Sequence, residues 1–134
     1  VTLKITRFHR IILWLAAADF LIFGLGFYLA PVGFNSLLGV PVPDMAAIRS
    51  LGGFLSGAAV AAFLAARSGK WTEIRIVNLS LIAWNALNSA GMFYDLVTNS
   101  APSGLWPNVF ITAFFAITLS IAHWRGPAGA KHET

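Results

Sequence analysis

Of the 134 residues, 57% are hydrophobic and only 10% charged, with a mean hydropathy of +0.74. A soluble domain carries about 25% charged residues and needs polar surface to cover its core, so this composition excludes a water-soluble globule. The absence of cysteine also excludes disulfides, thiolate catalysis and cysteine-bound metal.

The first apolar window runs over 11–30, is interrupted only by Asp19, and stops at Pro31. Uncharged windows near twenty residues are candidate membrane helices. This one is too long for the apolar part of a signal peptide, and Pro31 suits cleavage poorly, so it reads as retained. A second window covers 46–66, with Arg49 in its first turn; a third covers 76–94 and a fourth 105–124. The joints "PVGFNSLLGVPVPD", "RSGKWTE" and "DLVTNSAPSG" are rich in turn formers. The expected fold is all-α, a four-transmembrane-helix bundle of two hairpins filling residues 1–125, with 126–134 a flexible tail.

Charge placement supplies an orientation. Lys4, Arg7, Arg10, Arg67, Lys70, Arg75, Arg125 and Lys131 fall on one side of such a bundle and only Arg49 on the other. The positive-inside rule then puts both termini in the cytoplasm. This accounts for the formal charge of +4 without a nucleic-acid partner. Trp14, Trp71 and Trp124 lie near the inner interface and Trp106 near the outer one, as aromatic belts do.

Asp19 lies nine residues past Arg10, near the mid-plane of the first span. An aspartate there costs about 3 kcal/mol on insertion scales and is a functional hypothesis by default. Arg49 sits roughly 16 Å above it at 1.5 Å per residue, and is better matched to Asp44 or Asp95. The remaining partners are on the third span, where Asn78, Leu81, Asn85 and Asn88 share one stripe. An amide facing hydrocarbon alone costs several kcal/mol, so this stripe faces the bundle, a partner or water. Asp19, Asn85 and Asn88 are expected to cluster, with Trp84 and Tyr94 completing a ligand pocket. A purely structural hydrogen-bond knot is the alternative, at ~0.6–2 kcal/mol per contact.

On the second span Gly53, Gly57, Ala61 and Ala65 recur every four residues and form a small-residue face. With Asn78, they are the expected helix-packing residues, serving an internal contact, self-association or another membrane protein. His9 and His123 flank the first and fourth spans on the same side, with His132 in the tail. Haem ligation by His9 and His123 is disfavoured, because a solvated histidine is ordinary at an interface. No metal site and no catalytic set are expected, since HExxH, P-loop, Rossmann and CxxC patterns are missing from the chain.

At "IRSLGG", Ile48 to Gly53, an Arg followed by paired glycines (Arg49, Gly52, Gly53) comes after a Pro-rich loop. The chain resembles here the small bacterial DoxX-like four-helix membrane proteins. That resemblance implies a bundle in the bacterial inner membrane, sometimes beside a redox complex, and supplies no catalytic residues. The expected function is a non-enzymatic accessory or scaffold subunit in a larger membrane assembly. The alternative is a binder of, or enzyme acting on, a lipophilic small molecule such as a quinone, pigment or lipid.

Overall fold

The structure, a computed structural model, describes residues 3–42, 44–98 and 100–128. Within them the chain is all-helical: α1 (Arg7–Leu29), α2 (Pro31–Leu37), α3 (Met45–Ser68), α4 (Trp71–Val97) and α5 (Trp106–Trp124), with a 3-10 turn at Ser103–Leu105 before α5. Three of these segments, Arg7–Leu29, Met45–Ser68 and Ser103–Trp124, are long and apolar enough to cross a membrane. The longest helix, α4 with 27 residues, is less apolar because of its three asparagines.

Local chemistry sets the boundaries. Thr6 caps α1 by accepting the His9 N–H at 3.1 Å, and Ala30, preceding a proline, leaves the helical region with φ −133° and ψ 54°. Pro31 then opens α2 at once, its fixed φ suiting a first helical position. The Asn35 side chain donates back to the Pro31 carbonyl at 2.7 Å. A stretch that composition reads as loop is therefore a two-turn helix. The Asp44 carboxylate accepts the N–H groups of Ala46 and Ala47 at 2.7 and 3.0 Å, capping α3. This overturns its expected pairing with Arg49: the first-turn amides bring satisfied donors to Asp44 at no cost in side-chain ordering. The one ion pair among the described residues is Lys70–Glu73, at 2.7 Å. Gly69, with φ 63°, ends α3 in the left-handed conformation that permits an immediate reversal into α4.

α1 packs most extensively on α3 and α4 on α5, and contacts of α3 with α4 and of α1 with α5 close the ring. The core is built from Leu13, Ala16 and Phe20 of α1, Leu55, Ala59 and Ala62 of α3, Leu81 of α4, and Phe115 and Leu119 of α5. The tightest approach is between α1 and α3. A side chain at Gly52 would put its Cβ 2.6 Å from the Tyr28 backbone nitrogen and 2.7 Å from the Gly24 carbonyl oxygen. A Cβ at Gly24 would meet the Ser56 nitrogen at 2.7 Å. The packing face is thus one position away from the expected one. Gly53 and Gly57 are exposed, with nothing within 4 Å of a Cβ at Gly57; Ala61 is half-buried, and Ala65 is buried in the core. Gly52 faces α1 because Gly24 lies opposite it, and that puts its neighbour Gly53 on the outer side.

At the end carrying the termini, residues 3–5 run as an extended strap. Ile5 N–H donates to Gly69 O at 2.9 Å, Trp71 N–H to Leu3 O at 2.9 Å, and Ala128 N–H to Lys4 O at 2.7 Å. The chain just past α5 is thereby fastened to the segment before α1. Residues 129–134, with Lys131 and His132, lie outside the described residues.

Candidate functional site

A cavity of about 210 Å³ lies between the long helices at the α2 end. α1 contributes Asp19, Phe20, Phe23 and Phe27; α3 contributes Ile48, Leu51 and Leu55; α4 contributes Trp84, Asn88 and Met92; α5 contributes Asn108 and Thr112; Asn35 of α2, Leu38, Val40 and Leu105 are also in the wall. Asp19 is half-buried and is the one ionisable residue of the lining among the described residues. Its carboxyl has no hydrogen bond and no ion pair among the described residues. The expected cationic partner, Arg49, is not in the wall.

The polar neighbours divide by what their donors do. Asn35 Nδ2 is spent on the Pro31 carbonyl at 2.7 Å. Asn108 Nδ2 donates to the Met92 sulfur at 3.2 Å. Thr112 Oγ1 donates toward the carbonyls of Asn108 and Val109, at 2.9 and 3.1 Å. Each asparagine keeps its second Nδ2 hydrogen and its Oδ1 free, and Thr112 keeps only oxygen lone pairs. Asn88 alone among the cavity amides has no bond within the described residues.

The sequence-expected cluster is brought together in part. Asp19, Trp84 and Asn88 share the cavity. Asn85 does not line it: fully buried, it donates Nδ2 to Leu81 O of its own helix at 2.8 Å and leaves Oδ1 without a partner. Tyr94 is 65% exposed and lies outside the wall. The reason is angular. Six residues beyond Asn88, at about 100° each, turn the side chain roughly 120° away from the stripe. Asn35, Asn108 and Thr112 were not foreseen. The last two carried a signal, since a polar i, i+4 pair marks one face of the otherwise apolar α5.

At the opposite end, Asn78 joins three helices. Its Oδ1 accepts from His9 Nε2 at 2.9 Å, and its Nδ2 donates to His123 Nδ1 at 3.1 Å. Both histidine nitrogens facing the centre are thus engaged by one amide. His9 is wholly buried, not solvated, and its Nδ1 has no partner. Trp71, expected as an interfacial anchor, packs its ring against both imidazoles, with centroids 5.9 Å from His9 and 5.0 Å from His123. No group of three or more metal-ligating side chains occurs among the described residues. Comparison of the chain with known protein families, curated proteins and solved structures finds no match.

Proposed function

We propose that the chain is a four-span integral membrane protein that binds a small amphipathic molecule in the Asp19 cavity. α4 supplies the fourth span. Its asparagines turn inward, while Ile76, Leu79, Leu87 and Phe93 are exposed on its outer side, at 75%, 48%, 75% and 50%, a surface suited to lipid. The positive-inside distribution then puts both termini in the cytoplasm, and the DoxX-like resemblance would make the membrane a bacterial inner one.

The observation that carries the binding reading is the unpaired Asp19 carboxyl in an aromatic-lined cavity. A polar group left without partners inside a membrane bundle is costly and marks function by default. An engineered apolar cavity of about 150 Å³ accepts benzene, so this one has room for a compound of one-ring size. Among the described residues the one hydroxyl of the lining, that of Thr112, donates to backbone carbonyls and not to a base, which favours binding over turnover.

The test is mild extraction of the full chain from its native membrane, followed by native mass spectrometry and an absorption scan. A small molecule bound one to one in the parent and lost in Asp19→Asn and Asn88→Leu supports the reading. An empty parent with a stoichiometric protein partner overturns it in favour of an accessory subunit. One observation favours that second reading: the small residues Gly53 and Gly57 are exposed on α3, where a neighbouring helix could approach closely.

A further inference from the structure

The chemistry of the wall goes further than an amphipathic ligand of unspecified charge, although a charge assignment rests on the cavity-binding reading of this site. Among the described residues one carboxyl lines the cavity, and no Lys, Arg or His does. The Thr112 hydroxyl hydrogen and one amide hydrogen each of Asn35 and Asn108 are used on protein acceptors, and the side-chain oxygens of all three keep lone pairs. The rings of Phe20, Phe23, Phe27 and Trp84 also line it. Aromatic faces carry negative charge density and attract cations, more strongly once water is excluded. The Asp19 carboxyl repels an anion, and no positive charge among the described residues of the lining offsets it. A neutral acceptor such as a quinone carbonyl would find amide hydrogens on the asparagines but would leave the Asp19 carboxyl without a partner. A positively charged donor would give the carboxyl its missing partner and be attracted by the rings.

We propose that the cavity takes a small organic monocation, a protonated amine on an apolar body of about one-ring size, with its ammonium on the Asp19 carboxylate and its body among the phenylalanines. Asp19 is then the counter-ion that only the ligand supplies with a partner, which explains an acidic residue placed in a span without a basic neighbour. The size of the cavity sets the limit on the body.

The probe is benzylammonium, with benzyl alcohol and benzoate as neutral and anionic partners of the same shape. Each is titrated calorimetrically at pH 7 into the purified full chain in lipid nanodiscs, for the parent, Asp19→Asn and Asp19→Glu. The expected result is saturable benzylammonium binding in the parent and in Asp19→Glu. Asp19→Asn should bind it roughly tenfold more weakly or worse, a loss of about 1.4 kcal/mol or more. Benzyl alcohol should bind more weakly than the amine in the parent and be indifferent to Asp19→Asn. Benzyl alcohol or benzoate binding the parent as tightly as the amine overturns the cation assignment and leaves the cavity reading standing. No saturable binding of any of the three overturns both. The ranking of the three probes on the parent alone decides the charge preference, even if Asp19→Asn fails to fold.

Discussion

One stripe of α4 treats its asparagines in three different ways. Asn78, at the terminal end, bonds to His9 of α1 and His123 of α5. Seven residues on, Asn85 bonds only to its own helix and leaves its oxygen without a partner. Three further on, Asn88 stands uncommitted in the wall of a cavity that also holds the unpaired Asp19. A buried polar group is costly until it is hydrogen-bonded. The terminal end meets most of that demand within the chain, leaving His9 Nδ1 without a partner, and the strap of residues 3–5 and the Trp71 ring close over it. The α2 end has not met it, and this is what a site awaiting a ligand requires. The same residue type is a fastener at one end of the molecule and an open valence at the other.

The contrast breaks most completely if the wall of the cavity is forced apart. Gly52 is flanked by Leu51 and packs under Gly24, and both Leu51 and the neighbouring Phe23 line the cavity. Gly52→Leu places a side chain against backbone atoms that cannot swing aside. Overpacking costs about 1–3 kcal/mol, occasionally more, and a backbone clash belongs at the top of that range. Thermal unfolding in detergent should show a large loss, or no folded protein at all. Gly53→Ala is the control. Its Cβ would meet Tyr28 at an ordinary 3.9 Å, and alanine is the better helix former, so stability should hold or rise. If the two variants behave alike, the crossing is not where the structure puts it.

A smaller pair of effects separates the two ends. Asn78→Leu removes a partner from two imidazoles at once, and leaving a buried group unsatisfied costs about 1–3 kcal/mol. It should lower the unfolding midpoint while leaving benzylammonium binding close to the parent value. Asp19→Asn should do the reverse, keeping or slightly raising stability because a carboxyl with no internal partner holds nothing together. Should Asp19→Asn prove as destabilising as Asn78→Leu, then Asp19 is a structural knot and the contrast between the ends dissolves.

How far this contrast was legible in the sequence depended on whether the partner of each residue could be seen. The inward stripe of α4 follows from steps of seven and three residues, so spacing alone places Asn78, Asn85 and Asn88 on one face. Their different fates depend on what α1 and α5 bring opposite: two histidines at one end, an aspartate at the other. Spacing within α4 carries no trace of that. The glycine pattern failed for a related reason. Gly52 with Ser56 and Gly53 with Gly57 both repeat at four, and the purer pattern drew attention to the wrong face. Only Gly24, on another helix, decides between them. α2 was hidden because its evident signal, Pro31, marks both the end of one helix and the first position of the next. Asn35 was hidden with it.

The smallest effect tests whether the terminal end owes anything to surface charge. Glu73, fully exposed in the first turn of α4, accepts from Lys70 Nζ at 2.7 Å and from the Ser68 hydroxyl. The Lys70 bond first, and then that of Ser68, hold its carboxyl below the usual glutamate range. A carboxylate with a lowered folded value adds stability above its unfolded value and loses it as the pH falls through the folded one. Glu73→Gln should therefore be slightly less stable than the parent at neutral pH, and the gap should close on acidification as the parent carboxyl protonates. Because exposed ion pairs contribute little, the gap should stay well below that of Asn78→Leu at every pH. Unfolding midpoints of the two variants and the parent across an acid-to-neutral series measure this directly. A Glu73→Gln loss equal to that of Asn78→Leu would mean that this end is fastened from outside by charge. The expected order puts the fastening inside, at one amide between two imidazoles.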